Sequence, residues 1–380
     1  MHSLKKVLFL PLFQMPSGHH QVADALMYEI EKTTENVTCK KIDFLSYWNK
    51  HIEKLVESSY LKMIHAFPNM YDWVYRNFMY NQFTNKQVSL LNRIYSLRFE
   101  EKMLQLIQEE QPDSIVCTHC FPSAILSRLK QRKAINIPVV NVYTDFFINS
   151  IWGGAEIDYH LVNDMQMKQE LIQRFAIPAS HIFITGIPVN GKIGGKCSSS
   201  RKMKKQILVA GGSIGLGKMN DYLQQIKHSS NYHYTVLCGK NEKLYEELKR
   251  WNIPHIEPKA FISSREEMNE LYARSDALVT KPGGITISEA LKLGLPIFIH
   301  SSLPGQERIN LKRIIDKGLA VMLHEDQGFE EQLSLVLEDK WKRRSLIKRM
   351  EDMVNKREKI AYEIIVDIAV KTSLLHVRHV

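Results

Sequence analysis

Apolar positions along the chain follow two alternating rhythms. Residues 7–13 are a continuous apolar run, the mark of a strand buried on both faces. Residues 20–32 then show a helical period, with Val22, Leu26 and Ile30 on one face and Ala23 and Met27 beside them. Short buried strands are expected at 114–118, 139–144, 159–162 and 182–185, with helical segments such as 164–175 between most of them. After a break the alternation restarts, with strands at 207–210, 235–238, 277–280, 297–300 and 320–323. Helices at 242–251, 266–274 and 310–317 lie between them, and the tail over 339–369 is helical and charged. Strand and helix in turn predict parallel sheets with helices on both faces.

Two stretches interrupt the rhythm. Residues 46–110 carry no convincing strand and are rich in aromatics, among them Tyr60, Phe67, Trp73 and Phe78, which predicts an inserted helical subdomain. Residues 186–205 mix glycine, serine and charge without period, as a linker does. A chain of 380 residues is long for one domain. The expected division is an N-terminal domain over 1–188 with the helical insertion 46–110, a linker over 189–205, a second domain over 206–345 and a C-terminal helix over 346–380. The fold class is α/β, two Rossmann-like domains facing a cleft. Ligands of such sheets bind beyond the carboxyl ends of the strands. The glycine loops at Ser17-Gly18, at 211–217 and at Gly283-Gly284 each follow a strand directly and so belong to that cleft.

Composition is that of an ordinary soluble globular protein, 44% hydrophobic and 24% charged, with no apolar run long enough to span a bilayer. The basic and apolar N-terminus has a signal-peptide flavour, but Pro11 splits its run and polar residues follow, so a first strand is expected. Five scattered cysteines suit a reduced cytosolic protein. Cys117-Thr118-His119-Cys120 has Cys-x-x-Cys spacing but no second ligand pair, and Cys117 lies in an apolar strand, which weighs against a metal or redox role. The formal net charge is +10, concentrated at 192–205 and 340–359. Such cations face anionic lipid or nucleic acid, or are simply a solvated linker and helix face. No nucleic-acid motif accompanies them, so no nucleic-acid partner is expected.

The chemistry concentrates at 278–310. A helix starting at Pro282-Gly283-Gly284-Ile285 points free backbone N–H groups and its positive dipole end out of the sheet, and small residues let a phosphate approach. Glu289, one turn further, suits the hydroxyls of a ribose, and Gln306 with Glu307 offers a second hydroxyl-binding group. The ligand suggested is a diphosphate carrying ribose and sugar. The loop at 211–218 begins like a Walker A motif, but Met219 stands where magnesium binding needs Ser or Thr. His19 opens the first helix, where a neutral imidazole is favoured and can serve as a general base; a capping or surface histidine is the alternative. Phe261 follows a strand-like stretch and is either a site residue or a core aromatic. The chain has no Asp-x-Asp motif, so no metal is expected.

Lys281-Pro282-Gly283-Gly284, Glu289-Ala290 and Pro304-Gly305-Gln306-Glu307 resemble the donor site of glycosyltransferase family 28, in particular of diacylglycerol glucosyltransferases and monogalactosyldiacylglycerol synthases. The resemblance covers essentially the whole chain and is weak at 46–110. It implies the GT-B architecture and an inverting, metal-independent transfer of a hexose from UDP-glucose or UDP-galactose to a membrane lipid, diacylglycerol first. It implies no cofactor beyond the UDP-sugar donor. His19, not His20, matches the family's catalytic histidine. Gly212 and Ser213 match a segment beside the donor phosphates, and Phe261 a residue near the uracil. Gly18 and Asp145 match cleft positions. The protein is then expected in the cytoplasm, peripherally bound to the inner face of the cell membrane, with 46–110 facing acceptor and anionic lipid. Asn149 stands where relatives usually have His, Asn190 where they have Arg, and the first loop is poorer in glycine. Other acceptors, a UDP-sugar 2-epimerase, and a sugar-nucleotide-binding regulator without turnover remain alternatives.

Overall fold

The apolar run near the N-terminus becomes strand β1 (Lys5–Leu10), with residues 7–10 fully buried. The computed structural model describes residues 4–12, 17–49, 72, 73, 75, 90–194, 204–211, 220–228 and 231–376. It places β1 in a parallel six-stranded sheet of order β2-β1-β3-β4-β5-β6. The other strands are β2 (Val37–Lys41), β3 (Ser114–Cys117), β4 (Val139–Val142), β5 (Tyr159–Val162) and β6 (Ile182–Ile184). Helices α1 (Gly18–Thr33), α2 (Phe44–Trp48), α3 (Leu90–Glu110), α4 (Cys120–Gln131) and α5 (Met165–Phe175) connect them. Every residue of β3 and β4 is buried, as parallel strands covered on both faces must be.

Strand β2 carries no apolar signal. Only Val37 is buried in Val-Thr-Cys-Lys-Lys, because β2 is the edge strand and its other side chains stay solvated. Its pairing with β1 runs from Lys5 opposite Val37 to Phe9 opposite Lys41.

A second parallel sheet has order β12-β11-β10-β7-β8-β9. It comprises β7 (Gln206–Ala210), β8 (His233–Leu237), β9 (Ile256–Lys259), β10 (Ala277–Thr280), β11 (Ile297–Ile299) and β12 (Val321–Met322). Its helices are α6 (Asn220–Lys227), α7 (Glu242–Trp251), α8 (Arg265–Ala273), α9 (Gly284–Leu293), α10 (Gln306–Asp316), α11 (Phe329–Leu337) and α12 (Lys340–Asn355). Each sheet has its own apolar core. Each also reverses its winding once, between β1 and β3 in the first and between β7 and β10 in the second. At such a reversal the loops diverge and open a crevice beyond the carboxyl ends of the strands.

The chain divides into one unit of residues 1–190 and 356–380 and another of 191–355. The single C-terminal helix read over 346–380 is two helices. α12 ends at Asn355, and α13 (Ala361–His376) belongs to the first unit, where it packs on α1 and β1. The break has a physical cause at Glu358. Its backbone N–H donates to the Ile184 carbonyl at 2.7 Å, and its carboxylate accepts from Ile184 N–H at 3.1 Å and from Lys168 at 2.8 Å. A backbone bonded to the edge of β6 cannot also continue a helix. Gly186, just beyond β6, has φ +69°, and a Cβ there would come within 2.6 Å of the Arg357 guanidinium. Part of the expected linker is docked rather than free: Gly194 N–H donates to Asn269 Oδ1 on α8 at 2.9 Å. Of the segment 46–110, residues 50–71, 74 and 76–89 lie outside the described residues. Its described flanks are helical and bring Trp48 within 4.4 Å of Phe99 and Phe99 within 4.9 Å of Phe121, ring to ring. No helix among the described residues is long and apolar enough to cross a membrane.

Candidate active site

In the first unit three strand ends converge on one imidazole. His19 is the second residue of α1, just after Gly18 and the N-cap Ser17. Its Nδ1 lies 2.7 Å from the carbonyl oxygen of Thr118, after β3, and 3.0 Å from Thr144 Oγ1, after β4. The loops after β1 and β3 flank the reversal point of the sheet. Burial lowers the His19 pKa from its ordinary value, against a raising influence from the Asp145 carboxylate and the Thr118 carbonyl. A neutral ring follows at neutral pH. His20 is used differently. Its Nε2 lies 2.6 Å from Asp43 and its Nδ1 3.2 Å from Ser17 Oγ, so both nitrogens are engaged in holding the start of α1.

A second imidazole packs against His19. The His119 ring meets it edge-on at 4.6 Å. Burial, and His19 itself, push the His119 pKa well down, and its Nδ1 accepts the Phe121 N–H as the N-cap of α4. Burial pushes the Cys120 thiol up to about 12 and the Cys117 thiol higher still. Both cysteines are free. Buried protonated thiols are poor nucleophiles and poor metal ligands, so the Cys-x-x-Cys spacing here reflects packing. Asn149 is buried, and its Oδ1 accepts from Ile151 N–H at 3.0 Å, closing its own turn.

In the second unit the reversal point lies beside the glycine turn. Gly283 is the N-cap of α9, and Gly284 and Ile285 open the helix with their N–H groups beyond the carboxyl end of β10. Gly283 has φ −77°, which any residue adopts, and a Cβ added there would meet nothing within 4 Å. Neither backbone strain nor packing demands a glycine, so the missing side chain keeps the space before the helix end clear. Gly305, at φ +80°, caps α10, which starts with Gln306 and Glu307. The Glu307 carboxylate accepts from Leu303 N–H at 2.6 Å and so ties its own loop. Phe261 follows β9 and is 47% exposed, with Lys240 Nζ 5.7 Å from its ring centre; it is not a core aromatic. Gly212 and Ser213 lie outside the described residues.

Glu289 is only 4% exposed. Its Oε2 accepts from Tyr272 OH at 2.8 Å, and Arg265 approaches Oε1 at 3.5 Å. Burial raises its pKa, against the lowering effect of the Tyr272 hydrogen bond and the Arg265 charge. Tyr272 and Arg265 lie on α8, where nothing in the local sequence marks them. His300 was equally silent. It stands at the end of β11, donates its N–H to Thr280 O at 3.2 Å, and is held neutral, with its pKa lowered to about 4 by burial and by Lys281.

Comparison with known proteins shows the family and the fold. Residues 19–189 match the family model of monogalactosyldiacylglycerol synthase, and residues 215–353 that of glycosyl transferases group 1. The chain is 39% identical to the uncharacterized glycosyltransferase YkoN of Bacillus subtilis (strain 168), over 83% of each chain. It is 32% identical to a processive diacylglycerol beta-glucosyltransferase of Bacillus cytotoxicus, over 74% of this chain and 73% of that one. Among solved structures, MurG of Acinetobacter baumannii superposes with a TM-score of 0.59 at 14% identity, over 97% of this chain and 99% of that one. At that identity the likeness speaks for the fold, the GT-B arrangement of two Rossmann-like units.

Proposed function

The chain belongs to the glycosyltransferase family of the monogalactosyldiacylglycerol synthases and processive diacylglycerol glucosyltransferases, and we propose that it is an inverting hexosyltransferase moving glucose or galactose from a UDP-sugar to a membrane lipid, diacylglycerol in the first instance. The observation that carries this reading is His19: a half-buried, neutral imidazole whose Nδ1 faces a carbonyl, at the reversal point of its sheet.

In this reading Nε2 of His19 takes the proton from the acceptor hydroxyl as its oxygen attacks the anomeric carbon. The bond to the UDP oxygen breaks on the opposite face, which inverts the configuration. UDP leaves with the electron pair, and its charge meets the N–H groups and dipole at the start of α9. The open space in front of Gly283 suits a diphosphate. Phe261 offers a flat apolar face to the base, and the Glu289 carboxylate, with Gln306, suits hydroxyls of ribose and sugar. The Arg265 and Tyr272 partners hold Glu289 in place for that purpose. No cofactor or metal is needed in this scheme. A lipid acceptor calls for work at a membrane surface, and the name of the diacylglycerol glucosyltransferase relative supports a lipid acceptor.

The test is incubation with radiolabelled UDP-glucose and UDP-galactose over vesicles with and without diacylglycerol, counting the lipid phase. Label that enters lipid only when diacylglycerol is present is the expected result. Label appearing in a water-soluble product instead would assign another acceptor. UDP binding without any turnover would make the protein a sugar-nucleotide sensor.

A further inference from the structure

Trp341 is 84% exposed, more than any other large apolar side chain among the described residues. It sits in the first turn of α12. Residues 340–350 read Lys-Trp-Lys-Arg-Arg-Ser-Leu-Ile-Lys-Arg-Met and contain six cations and no acid. Helical spacing puts Trp341, Arg344, Ser345 and Lys348 on one face, flanked by Lys340 and Lys342. Leu346 and Met350 fall on the opposite face and are buried against the unit.

The cations separate accordingly. Arg349 donates to the Gly318 carbonyl at 2.7 Å, and Arg343 approaches Asp276 at 3.8 Å, so both serve packing. Lys340, Lys342, Arg344 and Lys348 are exposed. Among the described residues, the ion pair in this exposed set is Lys342 with Asp339, at 3.9 Å. Glu351 and Asp352 end the basic stretch. Leu335, on the preceding helix, is also more than half exposed.

Charge alone would be an ordinary solvated helix face. An indole in solvent among such cations is not explained by solvation. An indole seated at headgroup level, with lysines and arginines at the lipid phosphates, is the combination that binds an anionic bilayer surface. A single-stranded nucleic acid would call for several aromatic platforms along a groove, and this face has one indole.

We propose that this face of α12 docks the protein on an anionic bilayer, with Trp341 in the headgroup layer and Lys340, Lys342, Arg344 and Lys348 against lipid phosphates. The choice of a bilayer as partner rests on the lipid-acceptor reading above. The surface itself is a separate claim.

The experiment sediments the full-length protein with vesicles of phosphatidylglycerol and phosphatidylcholine, and with phosphatidylcholine alone. The variants are Trp341→Ser and the pair Arg344→Glu with Lys348→Glu. Wild type should bind the anionic vesicles only, and less as salt rises. Each reversed cation should weaken binding by about fivefold or more, and Trp341→Ser by about tenfold. Melting temperatures should not move, since these side chains are exposed. Sugar transfer to diacylglycerol in detergent micelles, where no bilayer is present, should match wild type. The proposal is overturned if wild type ignores anionic vesicles, if the variants sediment like wild type, or if single-stranded RNA displaces the vesicles from the same face. If vesicle binding is lost in the variants but no micellar transfer to diacylglycerol is seen in any protein, docking stands and the acceptor assignment falls.

Discussion

The Nδ1 atom of His19 lies 2.7 Å from the carbonyl oxygen of Thr118, and this contact decides which ring nitrogen is available for chemistry. A carbonyl only accepts, so Nδ1 carries the proton and the lone pair is left on Nε2. Thr144 Oγ1, 3.0 Å from the same Nδ1, restrains the ring from a second strand end. The neighbouring histidine has no such freedom, because Asp43 and Ser17 occupy both of its nitrogens.

Adjacent histidines should therefore fail in different ways. His19→Ala is expected to lower kcat by roughly a hundredfold or more, the usual scale for a positioned general base, while UDP affinity is unchanged. His20→Ala should chiefly lower the melting temperature, since it strands Asp43 and loosens the start of α1. Steady-state kinetics, calorimetric titration with UDP and a thermal melt on both variants separate the two roles. Equal losses of turnover, or a His19 effect confined to UDP binding, would remove His19 from the chemistry.

The same site makes a prediction about pH. Protonated His19 cannot accept a proton, so the rate falls as pH drops through its folded-state pKa. Burial holds that pKa below the ordinary imidazole value of 6.5, and Asp145 opposes the shift. The acid limb of the kcat profile should accordingly lie below pH 6.5. Asp145→Asn removes the opposing charge and should move the limb to still lower pH, leaving the variant relatively more active on the acid side. A limb that stays in place or moves upward in Asp145→Asn would show that another group titrates there.

Much of this architecture is legible in the chain because fully buried parallel strands write continuous apolar runs. β1, β3, β7 and β10 show them, while β4 and β5 are each interrupted by one buried polar residue, Asn141 and His160. The edge strand β2 does not, since four of its five residues stay partly or wholly solvated. The break between α12 and α13 is silent too, because it depends on a hydrogen bond from Glu358 to Ile184, 174 positions away. Local pattern places Glu289 one turn into a helix after a glycine turn, yet Tyr272 and Arg265 reach it only through the packing of α8 on α9. Periodicity reports which face is buried, and not which polar groups meet once it is.

Those partners shape the test of Glu289. Glu289→Ala would leave the buried Tyr272 hydroxyl without its acceptor, which costs about 1–3 kcal/mol of stability and confuses any binding result. Glu289→Gln keeps the shape and an acceptor oxygen but removes the charge. If the carboxylate holds ribose hydroxyls, the Gln variant should lose about 1.5 kcal/mol or more of UDP binding, roughly tenfold in Kd, with a melt close to wild type. Calorimetry with UDP and with uridine checks this, and both ligands should weaken alike because the ribose is common to them. Unchanged affinity in the folded Gln variant would make Glu289 a purely structural partner of Tyr272 and Arg265.

Gly283 offers a sharper test, since its side chain is absent for no structural reason. Its φ of −77° is open to alanine, and the added Cβ would enter space with no protein atom within 4 Å. Glycine is a better N-cap than alanine, so Gly283→Ala should cost about 1 kcal/mol of stability at most. If a diphosphate approaches the N–H groups of Gly284 and Ile285, however, the methyl group stands in its way and lengthens those hydrogen bonds. The expected result is a variant that melts near wild type and binds UDP at least about tenfold more weakly, the loss of one charge-assisted hydrogen bond. Uridine, which has no phosphates, should bind the variant and wild type alike. That contrast with Glu289→Gln assigns the two ends of the nucleotide to two ends of one helix segment. A variant that binds UDP normally would mean that no phosphate approaches the start of α9.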